Sequence, residues 1–178
     1  IIANEICDRA RTSDLVVIGH RGVNERFSTG LLGGTAESVT RKSPRPVFIT
    51  PMLFSPITRP LLAYDGSPRA STAMHLAAEF CAALRLPLTI LSVAPREKSG
   101  EEKLLEEARH YLTSYGIPLM FVSAVGHANQ RIIECLKEKN HDLLFIGAYG
   151  HSRIIEMVLG STTEYVLRNA PCPVFLSR

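Results

Sequence analysis

Two stretches of this 178-residue chain are versions of one another. DLVVIG at 14–19 returns as DLLFIG at 142–147, and GGTAESVTRKSPRPVFIT at 33–50 returns as GSTTEYVLRNAPCPVFLS at 160–177, with about half the positions identical. An offset of about 128 residues is far longer than a solenoid period and matches a whole α/β domain. The repeat therefore implies two related domains in tandem. Each copy reads as a buried apolar run, a glycine-bearing loop, a short helix and a second apolar run. In the first copy an amphipathic helix precedes them, with Ile2, Ile6 and Ala10 on one face. That copy holds only two strands and two helices. The chain begins at Ile1 without a methionine, in what reads as mid-helix, so a remnant of a longer chain is expected.

The second copy reads as complete. Leu61 to Tyr64 forms a first strand, and Ser67 with Pro68 caps and opens a helix reaching about Arg85. Leu88–Ala94, Pro118–Val125, Leu143–Ile146 and Pro173–Ser177 are further strands. Helices over 101–115, 128–139 and 163–169 separate them. Strands alternating with helices of this length mean βαβ crossovers and a parallel sheet covered on both faces. The expected fold is α/β, a doubly wound open sheet of order 3-2-1-4-5. The expected division is a partial unit at 1–50, a proline-bearing linker at 51–60 and a complete unit at 61–178. In such sheets ligands bind beyond the carboxyl ends of the strands, where the strand order reverses. Here that point lies between the first and fourth strands.

Both of those strand ends are glycine-bearing and polar. The first closes on Asp65-Gly66-Ser67; the fourth runs through Gly147 and Gly150 to Gly160, Ser161 and Thr162. Glycine admits positive φ and lets a ligand approach the backbone. Ser161 or Thr162 is expected to cap a helix beginning near Thr163. A helix start offers unpaired amides and the positive end of a dipole to an anion. His151 and Arg153 add charge nearby, as phosphate contacts or as solvated loop residues. Asp65 reads as a turn residue ahead of a capped helix or as a ligand group. Ile154, Ile155, Met157 and Val158 are expected to pack.

Other classes fit poorly. A net charge of +3 with no basic run and no tryptophan argues against nucleic acid. The apolar runs are too short for a membrane-spanning helix. Cys7, Cys81, Cys135 and Cys172 are scattered, without metal-ligand spacing, which fits free thiols in a cytoplasmic protein.

These residues resemble the universal stress protein family in its tandem form, with the first repeat truncated. The family's nucleotide loop, G-x2-G-x9-G-[S/T], is matched by Gly147, Gly150, Gly160 and Ser161. The A-x-D-G-S ending of its first strand is matched by Ala63, Asp65, Gly66 and Ser67, and Gly126 also fits. The resemblance implies an adenine nucleotide hydrolase-like fold holding ATP, ADP or AMP. Adenine would lie near Ala63 and Val93, and Asp65 near the ribose and a phosphate-bound magnesium. The loop amides at Gly147, Gly150, Gly160, Ser161 and Thr162 would hold the phosphates. The first copy departs from the pattern. Its loop from Gly22 to Gly33 is one residue longer, Gly34 stands where Ser161 does, and no counterpart of Asp65 is present. It is expected to bind no nucleotide.

The resemblance further implies a stress-response sensor or regulator, paired through its fifth strands. Val47–Ile49 and Val174–Leu176 would pair within the chain as a pseudo-dimer or between chains as a homodimer. A slow ATP hydrolase and a nucleotide-free interaction module are the alternatives. No lysine of a P-loop and no evident base favour the former. A response-regulator phosphoacceptor is set aside, because the third strand ends in Ser123-Ala124-Val125 without an aspartate.

Overall fold

Short apolar runs stopped by glycine or proline become strands, and the segments with helical spacing fold back over them. The computed structural model describes residues 2–20, 32–96, 100–148 and 160–177. Its elements are α1 (Ile2–Ala10), β1 (Val16–Gly19), α2 (Gly34–Lys42), β2 (Val47–Thr50), β3 (Pro60–Ala63) and α3 (Pro68–Leu84). They continue with β4 (Leu88–Ala94), α4 (Glu101–Thr113), β5 (Leu119–Val125), α5 (Ala128–Glu138), β6 (Leu143–Gly147), α6 (Ser161–Asn169) and β7 (Val174–Ser177). The strands form one sheet of order β1-β2-β7-β6-β3-β4-β5. From β3 onward this is the expected 3-2-1-4-5 arrangement, all parallel.

Leu61, Leu62, Leu143, Leu144 and Phe145 are fully buried, because helices cover both faces of the central strands. Residues of α1, α2, α5 and α6 pack on one face, and those of α3 and α4 on the other. The alanine stripe of α3 (Ala70, Ala73, Ala77, Ala78) lets that helix lie close to the sheet. At the far end of this face, on β1, Val17 remains 64% exposed.

β1 pairs parallel with β2, and β2 pairs antiparallel with β7. Of the two edge pairings expected, the chain therefore makes the internal one. Phe48 stands opposite Phe175, its counterpart in the repeat, while Val47 faces Leu176 and Ile49 faces Val174. A local twofold passes between the two phenylalanines. Their rings meet edge to face at 5.7 Å, Phe175 stacks on Phe145 at 5.1 Å, and Phe145 meets Phe80 of α3 at 5.5 Å. This aromatic row ties the N-terminal strands to the core of the C-terminal five-stranded unit.

The 51–60 segment crosses beneath the amino ends of β7 and β6 and is pinned there. Asp142 accepts hydrogen bonds from the Thr58 amide (2.8 Å), the Thr58 hydroxyl (2.7 Å) and the Arg59 amide (2.8 Å). His141 Nδ1 lies 2.9 Å from the Arg59 carbonyl, an acceptor, so that nitrogen carries the proton. Burial pushes the imidazole below its ordinary 6.5, outweighing the opposite pull of the Arg59 carbonyl and Asp142; Lys139 and Arg59 add to the lowering. The unfolded chain thus takes up a proton near pH 6.5 that the folded chain resists. The contribution of neutral His141 is intact above that pH and is lost as pH falls below it. Melting temperatures followed from about pH 7.5 to about pH 5.5 should fall by several degrees less in His141→Asn, which keeps a donor toward Arg59, than in the wild type.

Candidate functional site

The crevice at the reversal is assembled from two strand ends and two helix starts. β3 runs out at Ala63, and Tyr64 still donates its amide to Leu91 at 2.9 Å. The chain then turns sharply: Gly66 has φ of +75°, and a Cβ there would sit 2.6 Å from Leu104 Cδ1. Asp65 Oδ1 accepts the Ser67 amide at 3.0 Å, and Ser67 Oγ accepts the Ala70 amide at 3.2 Å. Ser67 caps α3 and Pro68 occupies its first turn, as expected. Asp65 thus has a turn role through one oxygen, while Oδ2 has no partner among the described residues.

On the β6 side, Gly147 is a glycine for a reason its motif does not disclose. A Cβ at this position would lie 2.7 Å from the Ala70 amide nitrogen and 2.7 Å from the Arg69 carbonyl carbon. β6 and the first turn of α3 touch backbone to backbone. Gly160 is the opposite case. Its φ is −57°, open to any residue, and among the described residues a Cβ added there meets nothing within 4 Å.

One expectation needs correction. α6 begins at Ser161 rather than near Thr163, with Gly160 as its N-cap and no side-chain cap bond. Gly160 already has the extended ψ of 146° typical of a cap residue, so Ser161 and Thr162 fall in the first turn and cannot cap. Among the described residues no side chain caps the first-turn amides of α6, whereas α3 spends a serine hydroxyl on closing its own.

These pieces surround a cavity of about 350 Å³. Of the expected site residues, Ala63, Asp65, Val93, Gly147, Gly160, Ser161 and Thr162 line it together. Gly150, His151 and Arg153 lie outside the described residues, as does Gly22 of the first copy. Leu91, Ala128, Ile132 and Ile146 complete an apolar wall, and Tyr64, Ser67, Ala70 and Thr163 also contribute. Apart from Ser67 of the Asp-Gly-Ser turn, sequence reasoning did not single these out. Leu91 shares a strand face with Val93, and Ala128 lies one helical turn from Ile132 on α5 behind Gly126; those spacings were the available signal.

Among the described lining residues Asp65 is the one carboxylate and none is basic. Positive potential comes from the helix starts of α3 and α6. Among the described residues no three His, Cys, Asp or Glu side chains converge as a metal cluster. The arrangement offers an apolar slot with a carboxylate beside it and open amides at one end.

Residues 96–178 match the universal stress protein family. A universal stress protein of Synechocystis is 36% identical over 173 residues, which cover 93% of this chain and 58% of that protein. The chain belongs to the universal stress protein family. A Bacillus subtilis universal stress protein is 27% identical over 143 residues, 66% of this chain and 97% of that one. The crystal structure of an Archaeoglobus fulgidus universal stress protein superposes with a TM-score of 0.83 at 28% identity, covering 98% of this chain and 65% of that one. This chain therefore spans less than two thirds of the Synechocystis and Archaeoglobus proteins.

The two site glycines should separate on substitution. Gly147→Ala forces backbone apart and is expected to cost about 1–3 kcal/mol of stability. Gly160→Ala should change it by less than about 1 kcal/mol, since the small gain in chain stiffness and the weaker N-cap offset each other. Urea denaturation of the ligand-free protein measures both.

Proposed function

We propose that this universal stress protein binds an adenine nucleotide in the crevice between β3 and β6 and serves as a cytoplasmic sensor or regulator of the stress response. The observation that carries the reading is the pairing of an uncapped helix start at Gly160 with an apolar slot wide enough for a base. Among the described residues neither its backbone angles nor packing demands a glycine at 160, which leaves room there for a ligand to approach the chain closely. A bare anion needs the amides alone; the apolar wall calls for a flat organic group attached to it. A universal stress protein of the same fold, 22% identical to this chain, has been solved in complex with cAMP.

In this reading Ala63, Val93 and the neighbouring Leu91 and Ile132 enclose the adenine. Asp65 offers its unengaged oxygen to the ribose or to the water shell of a phosphate-bound magnesium, a hard ligand for a hard ion. Amides of Gly147, Gly150, Gly160, Ser161 and Thr162 hold the phosphates, and His151 and Arg153 supply charge. Magnesium, when bound, neutralises phosphate charge. Apart from Asp65, assigned here to the ribose or magnesium, the described lining residues offer no carboxylate or imidazole, which fits a protein that holds its nucleotide better than one that turns it over rapidly. The chain is likewise a tandem arrangement in this reading: 1–50 is a partial unit, 51–60 a linker, 61–178 the complete unit, and one nucleotide binds per chain.

Denaturing the purified protein and chromatographing the released small molecules should yield an adenine nucleotide. Titration calorimetry with ATP, ADP and AMP then identifies the preferred one. Gly160→Val fills the approach to the α6 amides and should weaken binding by about a hundredfold, ~2.7 kcal/mol, while the circular dichroism spectrum stays unchanged. Unaltered affinity in that variant would remove the loop from the site. Asp65→Ala should weaken binding about tenfold with magnesium and clearly less without it; an equal loss in both conditions would remove the metal role.

A further inference from the structure

On the outer side of α3 and α4, away from the crevice, three side chains with titratable groups close into a triangle. His75 Nδ1 lies 2.8 Å from the Tyr111 hydroxyl and 3.1 Å from that of Tyr115, and the two hydroxyls are 2.9 Å apart. The phenol rings are 5.6 Å apart between centroids and inclined at 51°. His75 Nε2 faces the Glu79 carboxylate at 3.4 Å. The carboxylate favours the tautomer with the proton on Nε2, which leaves Nδ1 as an acceptor. Tyr115 then donates to Tyr111, and Tyr111 to His75. Nothing in the proposed nucleotide site uses this chain of hydrogen bonds.

We propose that Tyr111 and Tyr115 form the chain's preferred site of one-electron oxidation, with His75 accepting the phenolic proton and the two rings joining as dityrosine. Partial burial, followed by Tyr115 and Glu79, pushes the Tyr111 phenol up to about 12. At neutral pH the phenol is therefore intact, and removing an electron requires somewhere for its proton to go at once. His75 is that acceptor at hydrogen-bond distance. Each tyrosine gives up one electron and one proton; the two phenoxyl radicals couple between ring carbons ortho to oxygen, and the displaced ring hydrogens restore the phenols. The sum is two tyrosines going to one dityrosine with loss of two protons and two electrons. Hydrogen peroxide acting through a haem peroxidase takes up both and leaves two waters.

The chain contains its own control. Tyr165 is 39% exposed and Tyr111 38%, but among the described residues Tyr165 has no imidazole contact. Treating the full chain with a haem peroxidase and hydrogen peroxide, then digesting with trypsin, should give the 110–131 peptide lighter by two hydrogens, with dityrosine fluorescence in monomeric protein. Tyr165 should react several-fold more slowly. His75→Ala, at an exposed position, should slow formation of the bridge about tenfold, with an unchanged circular dichroism spectrum certifying the fold; Tyr111→Phe should abolish the bridge. Oxidation of Tyr165 as fast as Tyr111, a His75→Ala rate equal to wild type, or bridges formed between chains alone would each overturn the proposal.

Discussion

The backbone contact between Gly147 and the first turn of α3 is the constraint on which the crevice depends. With any side chain at 147, the end of β6 and the start of α3 must separate, because the atoms in the way are main-chain atoms and cannot rotate aside. That contact holds Ala70, Ser67 and Asp65 beside the end of β6. It does so at the place where crossovers change face, α3 and α4 to one side and α5 and α6 to the other. A doubly wound sheet opens a gap there by topology. Gly147 decides how wide the gap is on its α3 side, and Gly160 leaves the opposite side open.

The second organising feature is the β2/β7 seam. An end strand of a parallel sheet presents unpaired backbone groups, which invite pairing with whatever strand is available. Here β2 supplies that pairing antiparallel, so β7, an edge strand in a five-stranded unit considered by itself, becomes internal. Near-identical sequences on the two strands place Phe48 against Phe175 at the local twofold. The aromatic row then carries the contact through Phe145 to Phe80. Val17 shows where the sharing ends. It occupies in the repeat the position of Phe145, which α3 buries completely, yet it remains mostly exposed on its own strand.

Much of this was legible in the residues. Strand order and the position of the crevice followed from the alternation of apolar runs with helical spacings, since a parallel sheet buried on both faces leaves few arrangements. The Ser67 cap and Pro68 start were readable because a hydroxyl followed by proline has a local meaning independent of the fold. The start of α6 was misplaced by the same habit. A side-chain cap was sought at Ser161 or Thr162, while the chain uses a glycine with extended ψ and, among the described residues, no side-chain cap. The reason for Gly147 was hidden, because its partner atoms are nearly eighty residues away in sequence and in the backbone. The choice between internal and intermolecular edge pairing was equally hidden: near-identical strand sequences satisfy both, and only three-dimensional reach decides.

The asymmetry between the two helix starts gives the crevice a direction. α3 and α6 both turn their positive ends toward it, but α3 has one first-turn amide already bonded to the Ser67 hydroxyl and carries Asp65 just before its cap. A phosphate placed at that end would face a carboxylate at short range. At the α6 end, among the described residues, no side-chain cap competes and no acidic residue lines the cavity. On the proposed function, the anionic part of a guest would therefore be stabilised at Gly160–Thr162. Its neutral diol or a metal-bound water would be left for Asp65, and its flat apolar part for Val93 and Ile132. Charge, rather than shape alone, would thereby select one orientation from the two that an elongated nucleotide could take.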